Sequence, residues 1–141
     1  MGLERFEEAQ ESCWPAVMAE LRAGRKATHW MWFVFPQLAG LGRSAMARHY
    51  GLDGAAEARA YDAHPVLGER LRAALGAAME SGERDPVALF GGLDAMKLRS
   101  CLTLFAAAAA DPAPYEAGLA HFFGGERDPA TCAMLDGPAA G

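Results

Sequence analysis

Only two of the 13 basic residues in this 141-residue chain are lysines, Lys26 and Lys97, and the other eleven are arginines. An ammonium group is a compact point charge whose pKa shifts readily on burial, and arginine cannot replace it in that respect. Two lysines that persist in an arginine-rich chain therefore indicate positions where an ammonium could be needed. Chance is the alternative explanation.

Lys97 belongs to a polar stripe on a predicted helix. Asp94, Lys97 and Ser100 follow one another at intervals of three residues, so they share one helix face. A serine near a lysine can act as a nucleophile. The spacing favours a helix cap with an Asp94–Lys97 ion pair over a serine nucleophile. A polar stripe that faces a core must nevertheless be hydrogen-bonded or functional.

His29, Trp30, Trp32 and Gln37 form the most unusual segment of the chain. Trp30 could stack on a planar ring of a ligand, while His29 and Gln37 orient the ligand or move a proton. The alternative is that the aromatic residues form the core of a small helical domain. For Trp32 and its neighbours the core is the favoured interpretation.

A glycine-rich turn at residues 40–44 contains Arg43 and precedes a predicted helix. The free amides at a helix N-terminus and the arginine would favour an anion there. The alternative, which short glycine-rich turns favour, is a simple turn in which Ser44 caps the helix.

The sequence shows no spacing that predicts a metal or cofactor site. The four histidines are scattered, and Cys13, Cys101 and Cys132 form no metal-ligand pattern. Three cysteines, an odd number, are typical of unpaired thiols in a reducing cytoplasm and not of a disulfide framework. We therefore expect a cytoplasmic protein without metal or cofactor.

The charge balance argues against two large classes of partner. The formal net charge is −5, and general nucleic-acid or membrane-surface binders need a basic face. No apolar stretch approaches the roughly 20 residues that span a bilayer. We expect a monomer or a small homo-oligomer that binds neither nucleic acid nor membrane.

The composition predicts an all-α fold. Alanine, the best helix former, supplies 31 residues, whereas the chain has four valines, three threonines and no isoleucine. We expect a compact bundle of about seven to nine short helices in a single domain over 1–135, followed by a flexible tail at 136–141. The apolar run at 30–35 could be a helix, a turn or a buried strand.

Local signals place the ends of several helices. Asp85 and Asp128 each precede a proline, which is the pattern of a helix start, and Ser44 and His64 are further candidate caps. We expect Ser12, Asp53 and Asp94 to open helices as well. The helix from Asp94 towards residue 110 is apolar on most sides, so it should be central.

The tryptophan-rich segment also carries a family resemblance that extends over nearly the whole chain, from residue 3 to residue 135. The matching motifs are GRKATHWMWFVFPQL at 24–38, GLG at 40–42, EAxAY at 57–61, HPVLGxRL at 64–71, FGxxDxxKLxS at 90–100, TLF at 103–105, FFxG at 122–125 and DxxT at 128–131. They closely resemble the signature of a mainly bacterial family known as domain of unknown function 1810, which is sometimes labelled "calpastatin". The departures are small and fall at Asp62, Cys101 and Leu102.

The resemblance implies a compact, single-domain, all-helical fold and no established activity. Both lysines, Asp94 and Gln37 fall within the family pattern, which raises the odds of one shared site. The "calpastatin" label has no support, because an inhibitor of that kind is a long disordered chain and this composition is that of a compact one.

The first functional hypothesis is a pocket for a small, nucleotide-like anion, which the protein binds and could hydrolyse. The predicted ligand-binding residues are Lys26, His29, Trp30, Gln37, Arg43, Asp94, Lys97 and Ser100. Two alternatives stay open, a protein–protein interaction module that presents the apolar 30–35 segment, and a structural domain without a small-molecule site.

Overall fold

Alanine-rich segments with few β-branched residues fold into α-helices throughout residues 2–136, which are the residues described by the computed structural model. The helices in this range are α1 (Glu4–Glu11), α2 (Trp14–Arg22), α3 (Met31–Val34), α4 (Ala45–Tyr50), α5 (Ala55–Ala63), α6 (Leu67–Glu80), α7 (Pro86–Phe90), α8 (Gly92–Ala108), α9 (Ala113–Phe123) and α10 (Pro129–Asp136). Within the same range there is no strand, so the all-α prediction is confirmed. The predicted tail at 136–141 lies, apart from Asp136, outside the described residues.

Side-chain caps fix several helix starts as the sequence predicts. Ser44 Oγ accepts the backbone N–H of Ala47 at 3.1 Å, and Asp85 Oδ1 accepts that of Val87 at 2.9 Å. His64 Nδ1 accepts two backbone N–H groups at the start of α6. Each cap supplies an acceptor to amides that have no partner inside the helix.

Three predicted helix starts are wrong. Ser12 ends α1, and α2 begins after Cys13 without a side-chain cap. Asp53 lies two residues before α5, and Gly54 is the residue that directly precedes this helix. Asp94 lies within the first turn of α8, and its carboxylate binds lysines instead of capping the helix.

The ambiguous apolar run at 30–35 forms the short helix α3. It is followed by an isolated parallel bridge between Leu38 and Leu52, in which Gln37 O accepts the backbone N–H of Leu52 at 3.0 Å. A strand would need a partner along its whole length, and the bridge offers that only at one point. The bridge fixes the chain that leaves α3.

The central position predicted for α8 is confirmed. This helix packs against α5, α7, α9 and α10, and buried side chains cover most of its circumference. Polar side chains on α8 therefore either pair with neighbours or face an opening.

Among the described residues, no helix combines the length and the apolar character that a membrane span requires.

A backbone hydrogen bond ties the first lysine-bearing stretch to α7. Lys26 N donates to Leu89 O at 2.7 Å, which ties the segment after α2 to α7, the helix that directly precedes α8. The segment then continues into α3. Two stretches of chain about 70 residues apart in sequence consequently lie side by side.

Candidate ligand-binding site

Lys26, Asp94 and Lys97 form one ion-paired group, which we call the open cluster. Lys26 Nζ lies 2.8 Å from Asp94 Oδ2, and Lys97 Nζ lies 3.0 Å from Asp94 Oδ1. Burial acts to raise the pKa of Asp94, but hydrogen bonds and charge from the two lysines outweigh it and lower that pKa. Two ammonium groups against one carboxylate leave the cluster with one net positive charge.

Each lysine of the open cluster also lies over the ring of a tryptophan. Lys26 Nζ is 4.9 Å from the Trp30 ring centroid, and Lys97 Nζ is 4.0 Å from the Trp32 ring centroid. These are cation–π distances, so the rings help to hold the ammonium groups in place.

Trp30 cannot stack on a ligand as the sequence analysis expected. It is 1% exposed, and its indole N–H donates to Glu20 Oε1 at 2.9 Å. Its ring packs against Phe35 in the core. Trp32, which the sequence analysis assigned to the core, is only partly buried and lines the two openings described next.

Two adjacent openings surround the open cluster. The large hollow has a volume of about 350 Å³ and is lined by Trp32, Gln37, Leu41, Gly42, Leu93, Met96, Lys97, Ser100, Asp128 and Ala130. The small hollow, of about 70 Å³, is lined by Lys26, His29, Trp30, Met31, Trp32, Asp94 and Lys97. Trp32 and Lys97 line both, so they form the boundary between the two.

Gln37 supplies hydrogen-bonding capacity that the protein does not use. The residue is 9% exposed and lines the large hollow. Its backbone carbonyl is taken by Leu52, but its side-chain amide makes no hydrogen bond to another described residue. Since the residue lines the hollow, its amide can donate and accept hydrogen bonds to a molecule bound there.

Ser100 and Asp128 close the far side of the large hollow. Ser100 Oγ lies 3.0 Å from Asp128 Oδ2 and 3.2 Å from Met96 O. Asp128 Oδ2 also accepts the backbone N–H of Thr131 at 3.1 Å, which caps α10 as predicted. Burial acts to raise the pKa of Asp128, but hydrogen bonds from Thr131 and Ser100 outweigh it and lower that pKa. Asp128 is thus a carboxylate at neutral pH.

Two of the residues predicted for the site lie at its margin or outside it. His29 is exposed and lines the small hollow. Arg43 is exposed and lines neither hollow. The turn at 40–44 follows the simpler interpretation, since Ser44 caps α4 and that helix has only six residues.

Glu20 and Asp128 contribute to the site although sequence reasoning assigned neither of them to it. Glu20 accepts the backbone N–H groups of Ala27 and Thr28 at 2.7 and 2.9 Å, as well as the Thr28 hydroxyl. Burial acts to raise the pKa of Glu20, but these bonds and that from Trp30 lower it to about 2. Glu20 therefore fixes the loop that carries Lys26 and His29, and no spacing in the sequence signals this role.

The arrangement offers an ammonium, an amide, a hydroxyl and a carboxylate around a partly apolar opening. Among the described residues no group of three or more histidine, cysteine, aspartate or glutamate side chains could hold a metal ion. The ammonium, amide, hydroxyl and carboxylate groups can form hydrogen bonds and ion pairs with a ligand.

The sequence matches the family described as "Protein of unknown function (DUF1810)" over residues 1–135. The chain belongs to this family. The crystal structure of the conserved hypothetical protein Rv1873 from Mycobacterium tuberculosis is similar to it, with 45% sequence identity over 96% of each chain and a TM-score of 0.93. No protein among the curated sequences matches the chain. This DUF1810 protein therefore has a shared fold, and its function has to be argued from the site.

Proposed function

We propose that this DUF1810 protein binds a small, nucleotide-like anion in the large hollow. The anionic group lies towards Lys97, and the body of the ligand lies against Trp32 and the apolar lining. A volume of about 350 Å³ is at the small end of the range for ligand pockets.

One observation carries the proposal, which is that Lys97 and Gln37 face the same hollow with unused hydrogen-bonding capacity. Lys97 has three N–H donors and uses one of them on Asp94. The Gln37 amide uses none on the described residues. A charged donor and a neutral donor–acceptor beside an aromatic ring match a ligand with an anionic group and a polar planar part.

The hydrolysis considered in the sequence analysis is the weaker part of the hypothesis. Asp94 and Asp128 both have lowered pKa values, so they are ionised at neutral pH and do not supply the proton that a leaving group needs, although either could accept one. Binding is therefore the function that the site supports best.

A thermal-shift and calorimetric titration with the four ribonucleoside 5′-monophosphates tests the proposal. A ligand at 100 times its dissociation constant stabilises the fold by about 2.7 kcal/mol. Lys97→Met should weaken binding by about 10- to 100-fold, because a hydrogen bond to a charged group is lost. Its free energy of unfolding should change by less than about 1 kcal/mol, since Asp94 keeps Lys26.

Arg43→Met is the matched control, because it removes the same charge from an exposed residue that lines neither hollow. It should bind as the wild type does. Gln37→Leu is a second binding variant that removes no hydrogen bond within the described protein. The proposal is wrong if no nucleotide shifts the wild type, or if Arg43→Met loses as much affinity as Lys97→Met.

The alternative of a purely structural cluster makes different predictions for the same samples. It expects no ligand shift, and it expects the Lys26→Met/Lys97→Met double variant to unfold, because Asp94 is then left partly buried without a counter-charge.

A protein–protein contact is a second candidate, and the exposed side chains beside the hollow favour it. Leu93 and Met96 on α8 are 77% and 67% exposed and line the large hollow. The apolar 30–35 segment, which this alternative would present to a partner, is mostly buried. Light scattering on the wild type and on Leu93→Ser would show a change of mass if these side chains hold two copies together.

We also propose a cytoplasmic location and a monomer or small homo-oligomer without nucleic-acid partners. Unpaired thiols at all three cysteines support the location, and the charge of −5 supports the absence of nucleic acid. The sizing experiment above also measures the oligomeric state.

A further inference from the structure

The polar groups along α8 follow one another in a fixed order. Asp94, Lys97 and Ser100 are three residues apart, which corresponds to about 4.5 Å along a helix axis for each step. Asp94 lines the small hollow, Lys97 lines both hollows and Ser100 lines the large one. In the large hollow the Lys97 ammonium therefore lies at one end of this row, and the Ser100 hydroxyl, one turn further along, holds Asp128 at the other end.

Asp128 keeps one carboxylate oxygen unused. The hydrogen bonds from Ser100 Oγ, Thr131 N and Thr131 Oγ1 all go to Oδ2. Its Oδ1 accepts no hydrogen bond from the described residues. Because Asp128 lines the large hollow, the hollow contains a carboxylate with spare acceptor capacity.

An ionised carboxylate in a hollow of this size selects among anions. It repels a bare anion at its own end and accepts hydrogen bonds from hydroxyl or amino groups. The side-chain amide of Gln37, which makes no hydrogen bond to the described residues, adds a second acceptor and a donor to the same lining. A ligand that satisfies both ends needs an anionic group near Lys97 and hydrogen-bond donors on its body.

We propose that Asp128 and Gln37 select hydroxylated organic phosphates, in which hydroxyl groups on the body of the ligand bind Asp128 while the phosphate lies at Lys97. This inference rests on the proposed function and specifies its ligand class. Ribonucleoside 5′-monophosphates and sugar phosphates share this chemistry, and the experiment distinguishes them.

The first arm of the experiment uses the unmodified protein. Calorimetry compares ribonucleoside 5′-monophosphates, their 2′,3′-dideoxy counterparts, ribose 5-phosphate and inorganic phosphate. The ribonucleotides should bind about tenfold or more tightly than the dideoxy forms, because hydrogen bonds to a charged acceptor are lost. Ribose 5-phosphate of equal affinity assigns the ligand to sugar phosphates, and a weaker affinity assigns it to nucleotides.

The second arm removes the charge of Asp128. Asp128→Asn keeps an acceptor for the α10 cap, because asparagine caps helices about as well as aspartate. The variant should bind the ribo and dideoxy forms within about twofold of each other, and it should bind inorganic phosphate more tightly than the wild type does. Asp85→Asn is the matched control, because Asp85 also caps a helix before a proline and lines neither hollow.

Two results overturn the inference and leave the proposed function intact. One is equal affinity of the wild type for ribo and dideoxy forms, and the other is an unchanged preference in Asp128→Asn. If no organic phosphate binds the wild type, the proposed function and this inference are both overturned. The wild-type ligand series decides the question even if Asp128→Asn does not fold.

Discussion

Asp94 and Asp62 each hold two partners, but Asp94 lines the small hollow and Asp62 lines neither of the two hollows. Asp62 Oδ1 lies 2.8 Å from Arg72 Nη1 and accepts the hydroxyl of buried Tyr115, and we call these three residues the closed cluster. Burial and the Asp62 carboxylate raise the pKa of Tyr115, so the phenol stays protonated and donates. The open cluster instead borders two hollows.

The difference between the clusters lies in which hydrogen-bonding groups are left unused. In the closed cluster the buried groups of Asp62 and Tyr115 bind each other and Arg72, which stabilises the fold. The open cluster keeps unused donors on Lys97, with the Gln37 amide beside them. Substitutions in the closed cluster should therefore change stability and not binding, and substitutions in the open cluster should do the reverse.

The largest effect is expected at Gly68, where α6 lies against the backbone of the closed cluster. A Cβ at this position would lie 1.9 Å from Asp62 O, a backbone atom that cannot rotate away. Gly68→Ala should lower the free energy of unfolding by about 3 kcal/mol or more. Urea denaturation measures the change.

Gly76→Ala is the control for this prediction, because it is the same substitution in the same helix with no atom within 4 Å. It should stabilise the protein by up to about 1 kcal/mol through helix propensity. If Gly68→Ala and Gly76→Ala have similar free energies of unfolding, the packing around Asp62 O is loose. The closed cluster would then not be the more tightly packed of the two clusters.

Tyr115→Phe should have the next largest effect, because it removes a hydroxyl that donates to a carboxylate without changing the ring. We expect a loss of about 2 kcal/mol. Nucleotide affinity should stay within about twofold of the wild type. Tyr50→Phe is the control, since the Tyr50 hydroxyl makes no hydrogen bond to the described residues. A binding defect in Tyr115→Phe would contradict the assignment of this cluster to stability alone.

The fold could be predicted from the sequence to the extent that it is encoded locally. Helix starts at Ser44, Asp85 and Asp128 follow from side chains that bind amides two or three residues away. Asp94 shows where this reasoning fails. Its position before an apolar helical segment predicts a helix cap. In the structure its carboxylate binds Lys26 and Lys97, which come from two parts of the chain, and not the backbone N–H groups of the helix.

The site was predictable only in part, because tertiary packing decides which side chains face the hollow. The polar stripe and the family resemblance predicted that Lys26 and Lys97 lie close together, and both lysines bind Asp94 in the structure. The choice between Trp30 and Trp32 was wrong, since α3 has four residues and is too short to show a helical period. The roles of Glu20 in the loop and of Asp128 in the wall of the large hollow depend on contacts with other segments of the chain. No local sequence pattern predicts these contacts.

The smallest expected effect concerns Glu20, which lies beside the open cluster but spends its carboxylate on internal hydrogen bonds. The pKa of Glu20 is lowered from 4.5 to about 2 in the folded protein. A lowered pKa contributes stability above the unfolded value, and that contribution is lost as the pH falls from about 4.5 to about 2. Glu20→Gln should cost about 1 kcal/mol at pH 7, a figure kept small because the residue is partly exposed.

The difference in unfolding free energy between the wild type and Glu20→Gln should therefore shrink as the pH falls below about 4.5. Glu80→Gln, which replaces an exposed carboxylate by the same amide, is the matched control. A difference that stays constant down to pH 2 would mean that the charge of Glu20 does not stabilise the loop at 27–30. Hydrogen bonding of a carboxylate within the protein would then not be enough to predict that the residue stabilises the fold.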